Sequence, residues 1–389
     1  MNILFVDAHS DNPFDIRYGS IQRTNLLIRA CARCGHVDVV VFSEKKVISD
    51  IDNCDVIKSG IRNINPSVLS EINRKISLVF YDSFRYFGYV NRRMERCIDV
   101  IVEKGNYDWI VTRYVSDAVK CGLLKYGKRL VIDIDDSPLT VRKNYLGKGS
   151  TFMHNIYRQL MYRKSQRMME KLLKRIHCAF FSNADDLLDE KSVYLPNIPY
   201  YEIDSDYCDF SKTNNRILFV GFVDFKPNIE GLTHFINNIF PLVRNRVPDV
   251  ELSIVGKYNI DSLPSSFFAP NILVKGFVED LSEEYEQSRV AIVPIYTGAG
   301  TNIKVLEAFQ MKRPCVTTPF GARGHSRIFE NDKDFFVSET DEDFAKNVTE
   351  MLLYQESNNR ISKNANVKVK KYYSRDYFNK VVNDVIVDM

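Results

Sequence analysis

The sequence contains no apolar run that approaches the roughly 20 residues needed to cross a bilayer, so no membrane-spanning helix is expected. The strand-like segment at residues 1–6 (MNILFV) begins without the basic residues of a secretory signal, and we therefore expect a cytoplasmic protein. At 389 residues the chain exceeds twice the roughly 150 residues of a typical domain. This length predicts two domains.

The eight cysteines are scattered, and no second Cys or His pair accompanies them to complete a tetrahedral zinc site. Cys31 and Cys34 form a single C-x-x-C pattern and fall three residues apart on a predicted helix, on a face shared with Leu27 and Ile28. Core packing is therefore the favoured role for this pair. The cysteine pattern predicts reduced thiols and no structural metal.

Charge is nearly balanced over the whole chain, at +3, but unequal between its halves. Residues 1–200 hold 31 Lys and Arg against 23 Asp and Glu (+8), and residues 201–389 hold 22 against 27 (−5). A basic half can attract phosphates, anionic lipid or nucleic acid, although scattered surface lysines give the same total. Nucleic acid is the least favoured partner, because the basic residues are not regularly interleaved with aromatics.

Short apolar, β-branched runs alternate with stretches of helical periodicity in both halves of the chain. This alternation predicts an α/β protein with two doubly wound, Rossmann-like domains. Residues 199–215 are rich in Asp, Asn and Ser without a period, which is typical of a linker. We expect one domain over 1–198, a second over 216–371, and a final helix over 372–389 that packs back on the first.

The most informative stretch is 290–318, where a buried strand runs into the turn GAG at 298–300 and then into a helix. We expect Thr301 to cap this helix, which stops before Pro314. Such a turn places backbone amides at the carboxyl edge of a parallel sheet, where doubly wound folds bind ligands. A helix N-terminus at this edge can accept a phosphate.

Lys304 and Glu307 are the only charges between residues 301 and 311, and their spacing places them side by side on the predicted helix. A lysine in the first turn opposes the helix dipole unless an anion such as phosphate lies beside it. Glu307 is then placed to accept hydrogen bonds from ribose hydroxyls. The alternative is an exposed Lys–Glu pair on a helix surface.

Two other phosphate-binding patterns do not occur. A G-x-G-x-x-G fingerprint would require glycine at Ile303, and the acidic residue expected about 20 positions later is missing. The Walker pattern, ending in Gly-Lys-Ser/Thr, is absent from the chain. Nicotinamide binding at this turn and P-loop ATPase activity are therefore not expected.

The segments GFVDFKPNIEG, LSIVG, VKGFVEDL and PIYTGAGTNIKVLEAFQMKRPCVTT resemble the donor-binding domain of retaining, nucleotide-sugar-dependent glycosyltransferases with the GT-B fold. The similarity is strong over 216–350; over 1–200 it rests on strand order, on Gly19 and Arg23, and on VIDIDDSP and VYLPNIP. It implies two domains facing a cleft and transfer of a hexosyl group from a nucleoside diphosphate sugar to a glycan or lipid-linked acceptor. It further implies a role in surface polysaccharide biosynthesis.

Together the resemblance and the residue chemistry predict a donor site in the second domain. Its expected members are Gly221, Phe277, Val278, Gly300, Thr301, Asn302, Ile303 and Glu307. Lys226, Lys304 and the amides of 301–303 are candidates for stabilising the leaving phosphate, which requires no metal and no resident cofactor. Lys226 is equally interpretable as a solvated lysine, and Phe277 as a core residue.

The first domain is expected to supply the acceptor site. Candidate residues there are His9, Gly19, Arg23, Arg113 and Asp135, with Asp136 as a catalytic candidate. The alternatives are structural: a loop histidine, a helix-surface arginine, a salt bridge at Arg113, and a turn or helix cap at Asp136.

Two positions depart from the family pattern. Relatives commonly carry two glutamates separated by seven residues; the second is Glu307, but the first falls on Ala299. A basic residue often follows the Gly221 position, where this chain has Phe222. Two other functions therefore stay open: a catalytically silent GT-B binding or scaffold subunit, and a nucleotide-sugar epimerase.

Residues 157–176 combine seven basic residues with one acid and several Leu and Met residues. A basic amphipathic helix would suit peripheral contact with an anionic membrane. The alternative is a solvated helix packed on its own sheet.

Overall fold

The computed structural model describes residues 1–16, 19–58, 83–135, 137–143, 145–147, 151–200, 210–298 and 301–387. The chain forms two compact units, one of Met1–Pro196 with Phe378–Met389 and one of Asn197–Tyr377. Each unit is built on a parallel sheet with helices, so the predicted α/β fold class with two doubly wound domains is confirmed.

The first unit contains a seven-stranded sheet in the order β3-β2-β1-β4-β5-β6-β7, with parallel neighbours throughout. Its strands are β1 (Asn2–Asp7), β2 (His36–Val41), β3 (Cys54–Lys58), β4 (Trp109–Arg113), β5 (Leu130–Ile134), β6 (Cys178–Phe181) and β7 (Ser192–Tyr194). The central strands are buried on both faces, which explains why they appear in the sequence as continuous apolar runs. The strand order reverses between β1 and β4, which brings Asp7 and Arg113 to the same edge of the sheet.

Helices follow the strands of the first unit within the described residues. They are α1 (Gly19–Cys34), α2 (Arg92–Lys104), α3 (Val115–Lys120), α4 (Pro138–Lys143) and α5 (Phe152–Arg175). Within the described ranges, no helix is long and apolar enough to cross a bilayer.

The second unit contains a six-stranded sheet in the order β10-β9-β8-β11-β12-β13, again with parallel neighbours. Its strands are β8 (Arg216–Val220), β9 (Glu251–Val255), β10 (Ile272–Lys275), β11 (Val290–Val293), β12 (Cys315–Thr317) and β13 (Phe336–Val337). The order reverses between β8 and β11, so the residues that follow these two strands share the carboxyl edge of the sheet, where doubly wound folds bind ligands.

Helices of the second unit follow the same alternation. They are α6 (Lys226–His234), α7 (Phe240–Arg244), α8 (Ser282–Gln287), α9 (Ile303–Gln310), α10 (Asp341–Leu353) and α11 (Gln355–Tyr372). A π-helical turn at Phe235–Ile239 joins α6 to α7. Pro241 explains this turn, because proline cannot donate the backbone hydrogen bond that a regular α-helix requires.

The chain ends with α12 (Arg375–Ile386), which starts three residues later than expected because α11 continues to Tyr372. From Phe378 onward this helix belongs to the first unit. The Trp109 indole Nε1 donates a hydrogen bond to the Ile386 carbonyl at 2.9 Å, and Arg23 lies 5.9 Å from the centre of the Phe378 ring. The last helix thus completes the first unit.

Candidate active site

In the second unit, the segment after β11 leads into α9, which carries the predicted lysine and glutamate. The helix begins at Ile303, and Asn302 occupies the N-cap without a side-chain capping bond. The expected cap by Thr301 is therefore wrong, because the chain turns into the helix one residue later. The Thr301 hydroxyl instead accepts a hydrogen bond from Asn197 Nδ2 at 3.1 Å.

Lys304 lies in the first turn of α9 and points into the protein rather than into solvent. Its Nζ donates to Asn228 Oδ1 at 3.1 Å and lies 5.5 Å from the centre of the Phe219 ring. Burial lowers the pKa of Lys304 to about 8, and the neighbouring Glu307 carboxylate opposes that shift. Burial likewise raises the pKa of Glu307, against the effect of Lys304. The pair is therefore not an ordinary exposed Lys–Glu contact.

Gly221 follows β8 directly and makes room for this lysine. A Cβ atom at Gly221 would lie 2.5 Å from Lys304 Cε, closer than any real contact. Asn228 connects the same elements, because its Nδ2 donates to the Phe222 carbonyl at 2.6 Å while its Oδ1 accepts from Lys304. Asn228 therefore fixes the lysine against the end of β8.

The remaining donor-site candidates differ in exposure. Lys226 is 82% exposed and lies 3.7 Å from Glu230, so it resembles a solvated lysine more closely than Lys304 does. Phe277 is exposed, which contradicts the core alternative for this ring, and Val278 and Ile303 are partly buried. Ala299 and Gly300 lie outside the described residues.

His325 was not identified from the sequence. It is buried, and its Nε2 lies 3.1 Å from the carbonyl oxygen of Asn302, the N-cap of α9. Burial lowers the pKa of His325 to about 4, so the ring is neutral at pH 7 and donates from Nε2. The Asn302 side chain makes a second hydrogen bond to the same segment, from its Nδ2 to the Gly321 carbonyl at 3.2 Å. The 318–325 segment therefore orients the start of α9, and no local sequence motif marks it.

In the first unit, Asp133 at the end of β5 organises two buried arginines. Arg23 donates to its two carboxylate oxygens from Nε at 2.9 Å and from Nη2 at 2.6 Å. Arg23 also donates to the carbonyls of Leu195 and Pro196 at 3.0 and 3.1 Å. Arg23 is therefore neither on a helix surface nor open to an acceptor, contrary to expectation.

Arg113 completes this buried network. It is 2% exposed, and its Nε donates to Asp133 and its Nη2 to Asp135, both at 2.9 Å. Its Nη1 donates to the Thr24 hydroxyl at 2.9 Å. From the sequence, Arg113 was a candidate for contact with the acceptor. The burial of Arg113 supports the alternative of a salt bridge instead. Asp135 is the more exposed of its two carboxylate partners.

His9 is exposed and follows β1, with its ring centre 4.5 Å from that of Tyr114. Its backbone amide donates to Asp7 Oδ1 at 3.0 Å, which shapes the loop. Gly19 forms the first residue of α1. Asp136 lies outside the described residues.

One cluster in the described ranges has the geometry of metal ligands. Single ligand atoms of His36, Asp38 and Asp55 lie within 4.8 Å of one another on β2 and β3. His36 Nε2 already lies 3.3 Å from Asp38 and 3.6 Å from Asp55, and we assign no metal to this group.

Comparisons with known proteins agree with this architecture. Residues 214–353 match the model of the family described as "Glycosyl transferases group 1". A sucrose-phosphate synthase from Thermosynechococcus elongatus is similar with a TM-score of 0.64 and 14% identity, over 97% of this chain and 96% of that chain. HepE of Anabaena, solved in complex with UDP and glucose, also has a TM-score of 0.64, with 12% identity over 100% of this chain and 99% of its own.

A sequence relative gives further context. An uncharacterized 44.6 kDa protein in the cps region of Klebsiella pneumoniae is 22% identical over 364 residues, covering 88% of this chain and 91% of the relative. The resemblance inferred from the motifs is confirmed: the chain has the GT-B fold, and its residues 214–353 match the model of the group 1 glycosyl transferases.

Proposed function

We propose that the protein transfers a hexosyl group, with retention, from a nucleoside diphosphate sugar to a glycan or lipid-linked acceptor. The observation that carries this proposal is the partly buried Lys304 amine, held by Asn228 beside Gly221 at the start of α9. A desolvated cation beside a helix N-terminus is suited to a diphosphate. The group 1 glycosyl transferase match over the same segment supports this assignment.

In the proposed reaction, the bond between the anomeric carbon and the diphosphate oxygen breaks, and the electron pair leaves with the phosphate. The acceptor hydroxyl oxygen forms a new bond to the anomeric carbon on the same face, which keeps the configuration. The Lys304 ammonium and the first amides of α9 stabilise this charge. Glu307 accepts hydrogen bonds from ribose hydroxyls. The departing phosphate takes the acceptor proton, so the step needs no protein base. It also needs no metal or resident cofactor, because protein groups supply the positive charge.

The cellular role that we propose is surface polysaccharide assembly in the cytoplasm. The relative from the Klebsiella pneumoniae cps region supports this role, and the scattered cysteines are consistent with a reducing compartment. One observation favours the alternative of a catalytically silent subunit: Phe222 is exposed at the position where relatives often carry a basic residue.

A nucleotide-sugar panel tests the proposal. We expect one nucleotide class among UDP-, GDP-, ADP- and dTDP-sugars to raise the melting temperature, since a ligand that binds the folded state stabilises it. The same donor should then be hydrolysed slowly, or transferred to an acceptor with the anomeric configuration kept, as read by NMR. Failure of every donor to bind would refute the nucleotide site. Binding without hydrolysis or transfer would indicate a silent subunit, and a changed sugar without acceptor would indicate an epimerase.

Donor affinity should depend on pH through Lys304. Its pKa of about 8 means that the amine is mostly charged at pH 7 and loses its proton as the pH rises further. A bound diphosphate favours the charged form, so affinity should fall above pH 8 by up to about tenfold per pH unit. Calorimetric titration with the identified donor between pH 7 and 9 measures this. In Lys304→Arg the guanidinium stays charged, and the profile should be flat. A flat wild-type profile would contradict the assigned role.

A further inference from the structure

The solvent-facing side of α5 is unusual in its chemistry. The buried residues of this 24-residue helix are Met161, Ser165, Met168, Met169, Leu172 and Leu173. The methionines and leucines among them belong to the apolar residues of the amphipathic helix predicted at 157–176. The face that they form packs in the protein and is not available to a membrane.

A different set of apolar side chains faces outward at the N-terminal end of the helix. Phe152 is 78% exposed, Met153 71% and Leu160 55%, and Ile156 and Tyr157 are also exposed. Residues seven positions apart lie on nearly the same face of a helix, so Met153 and Leu160 are aligned. Five large apolar side chains thus occupy the first two and a half turns in solvent, more than scattered exposure explains.

The outer stripe of α5, which begins with the aligned Met153 and Leu160, becomes basic toward the C-terminal end of the helix. Arg167 and Lys174 continue the seven-residue spacing, and Arg163 lies beside them; all three are exposed. None of the three has a carboxylate partner among the residues that the structure describes. At 1.5 Å per residue the helix is about 36 Å long, apolar over its first third and cationic over the remainder.

We propose that this outer stripe of α5 docks the protein on an anionic lipid surface. Phe152, Met153 and Leu160 enter the boundary between headgroups and acyl chains, while Arg163, Arg167 and Lys174 contact the headgroups. A second copy of the chain would bring two cationic stripes together, which charge repulsion opposes. A polyanion such as nucleic acid would satisfy the basic end and leave the apolar end in water. This inference stands independently of the nucleotide site.

Vesicle co-sedimentation of the full chain tests this surface. We expect binding to phosphatidylcholine vesicles that contain phosphatidylglycerol, and at least tenfold weaker binding to phosphatidylcholine alone or at high salt. Arg163→Glu with Arg167→Glu should reduce binding at least tenfold. Met153→Ser with Leu160→Ser should also weaken it, most visibly at high salt, where the apolar contribution remains.

The matched control is Lys45→Glu with Lys46→Glu, which makes the same change in charge at exposed positions of the same unit. It should bind vesicles like the wild type. All variants should keep the wild-type melting temperature and nucleotide affinity, because they alter surface residues outside the donor site. Absence of wild-type binding, or equal losses in the control and the Arg163/Arg167 variant, would overturn the proposal. So would self-association without vesicles that Leu160→Ser abolishes, which would identify a second copy as the partner.

Discussion

Lys304→Ala is expected to weaken binding of the nucleoside diphosphate sugar by roughly 10- to 100-fold, the range for losing a charged hydrogen bond. Its amine lies at the carboxyl edge of the sheet, held by Asn228 and shielded from most of the solvent. Shielding makes the attraction to a diphosphate stronger than it would be on the surface. Calorimetry measures the affinity, and donor turnover should fall at least as far, because the negative charge grows as the bond breaks.

Two further variants test whether donor binding depends on the position of the Lys304 amine and not only on the charge of the protein. Gly221→Ala keeps the lysine but places a methyl group 2.5 Å from Lys304 Cε, so it should displace the amine and weaken binding as well. Lys346→Ala removes an exposed lysine from α10 and should leave affinity unchanged. Full affinity in Lys304→Ala, or an equal loss in Lys346→Ala, would refute the proposed phosphate contact.

Asp133→Asn is expected to lower the free energy of unfolding of the first unit by about 3–5 kcal/mol, the usual cost of breaking a buried ion pair from one side. The substitution keeps the shape of the side chain but removes the charge that both Arg23 and Arg113 require. Two guanidinium groups then remain in the interior with too little negative charge. Trp109, the single tryptophan, lies in β4 of this unit, so its fluorescence can follow unfolding in urea.

An exposed ion pair provides the control for this prediction. Asp50 pairs with Arg29 at 2.9 Å on the surface, and Asp50→Asn should cost at most about 1 kcal/mol. Similar losses in the two variants would show that the buried network contributes no more than a surface pair. If Asp133→Asn fails to accumulate in folded form, Asp135→Asn offers a milder test, because the Asp135 side chain is more exposed than that of Asp133.

Local patterns predicted much of the segment that carries the candidate donor site. Strand β11, helix α9 and the adjacency of Lys304 and Glu307 follow from periodicity and spacing, which act within a few residues. The N-cap was misplaced because Thr301 and Asn302 are both good capping residues, and only the path of the chain decides between them. His325 was missed because its partner lies 23 residues away in sequence.

Helix α5 shows the limit of periodicity most clearly. Apolar residues lie on two sides of it, and the sequence pattern does not say which side meets the sheet. The methionines and leucines between residues 161 and 173 are buried in the core. The exposed apolar side chains lie between residues 152 and 160, at the N-terminal end of the helix. Hydrophobic pattern predicts that a helix has an apolar face, but neighbouring elements decide which face is covered.

The order of residues along the chain was enough to establish the α/β class, the two parallel sheets, and the succession of strand β11 and helix α9 that carries Lys304, since hydrophobic period and helix-start chemistry are local. Packing alone decided that Lys304 is desolvated, because its environment comes from Phe219, Gly221 and Asn228 on other elements. Packing also joined Arg23 to Asp133 across 110 residues. Such contacts depend on which strands become neighbours, and burial sets their electrostatic strength.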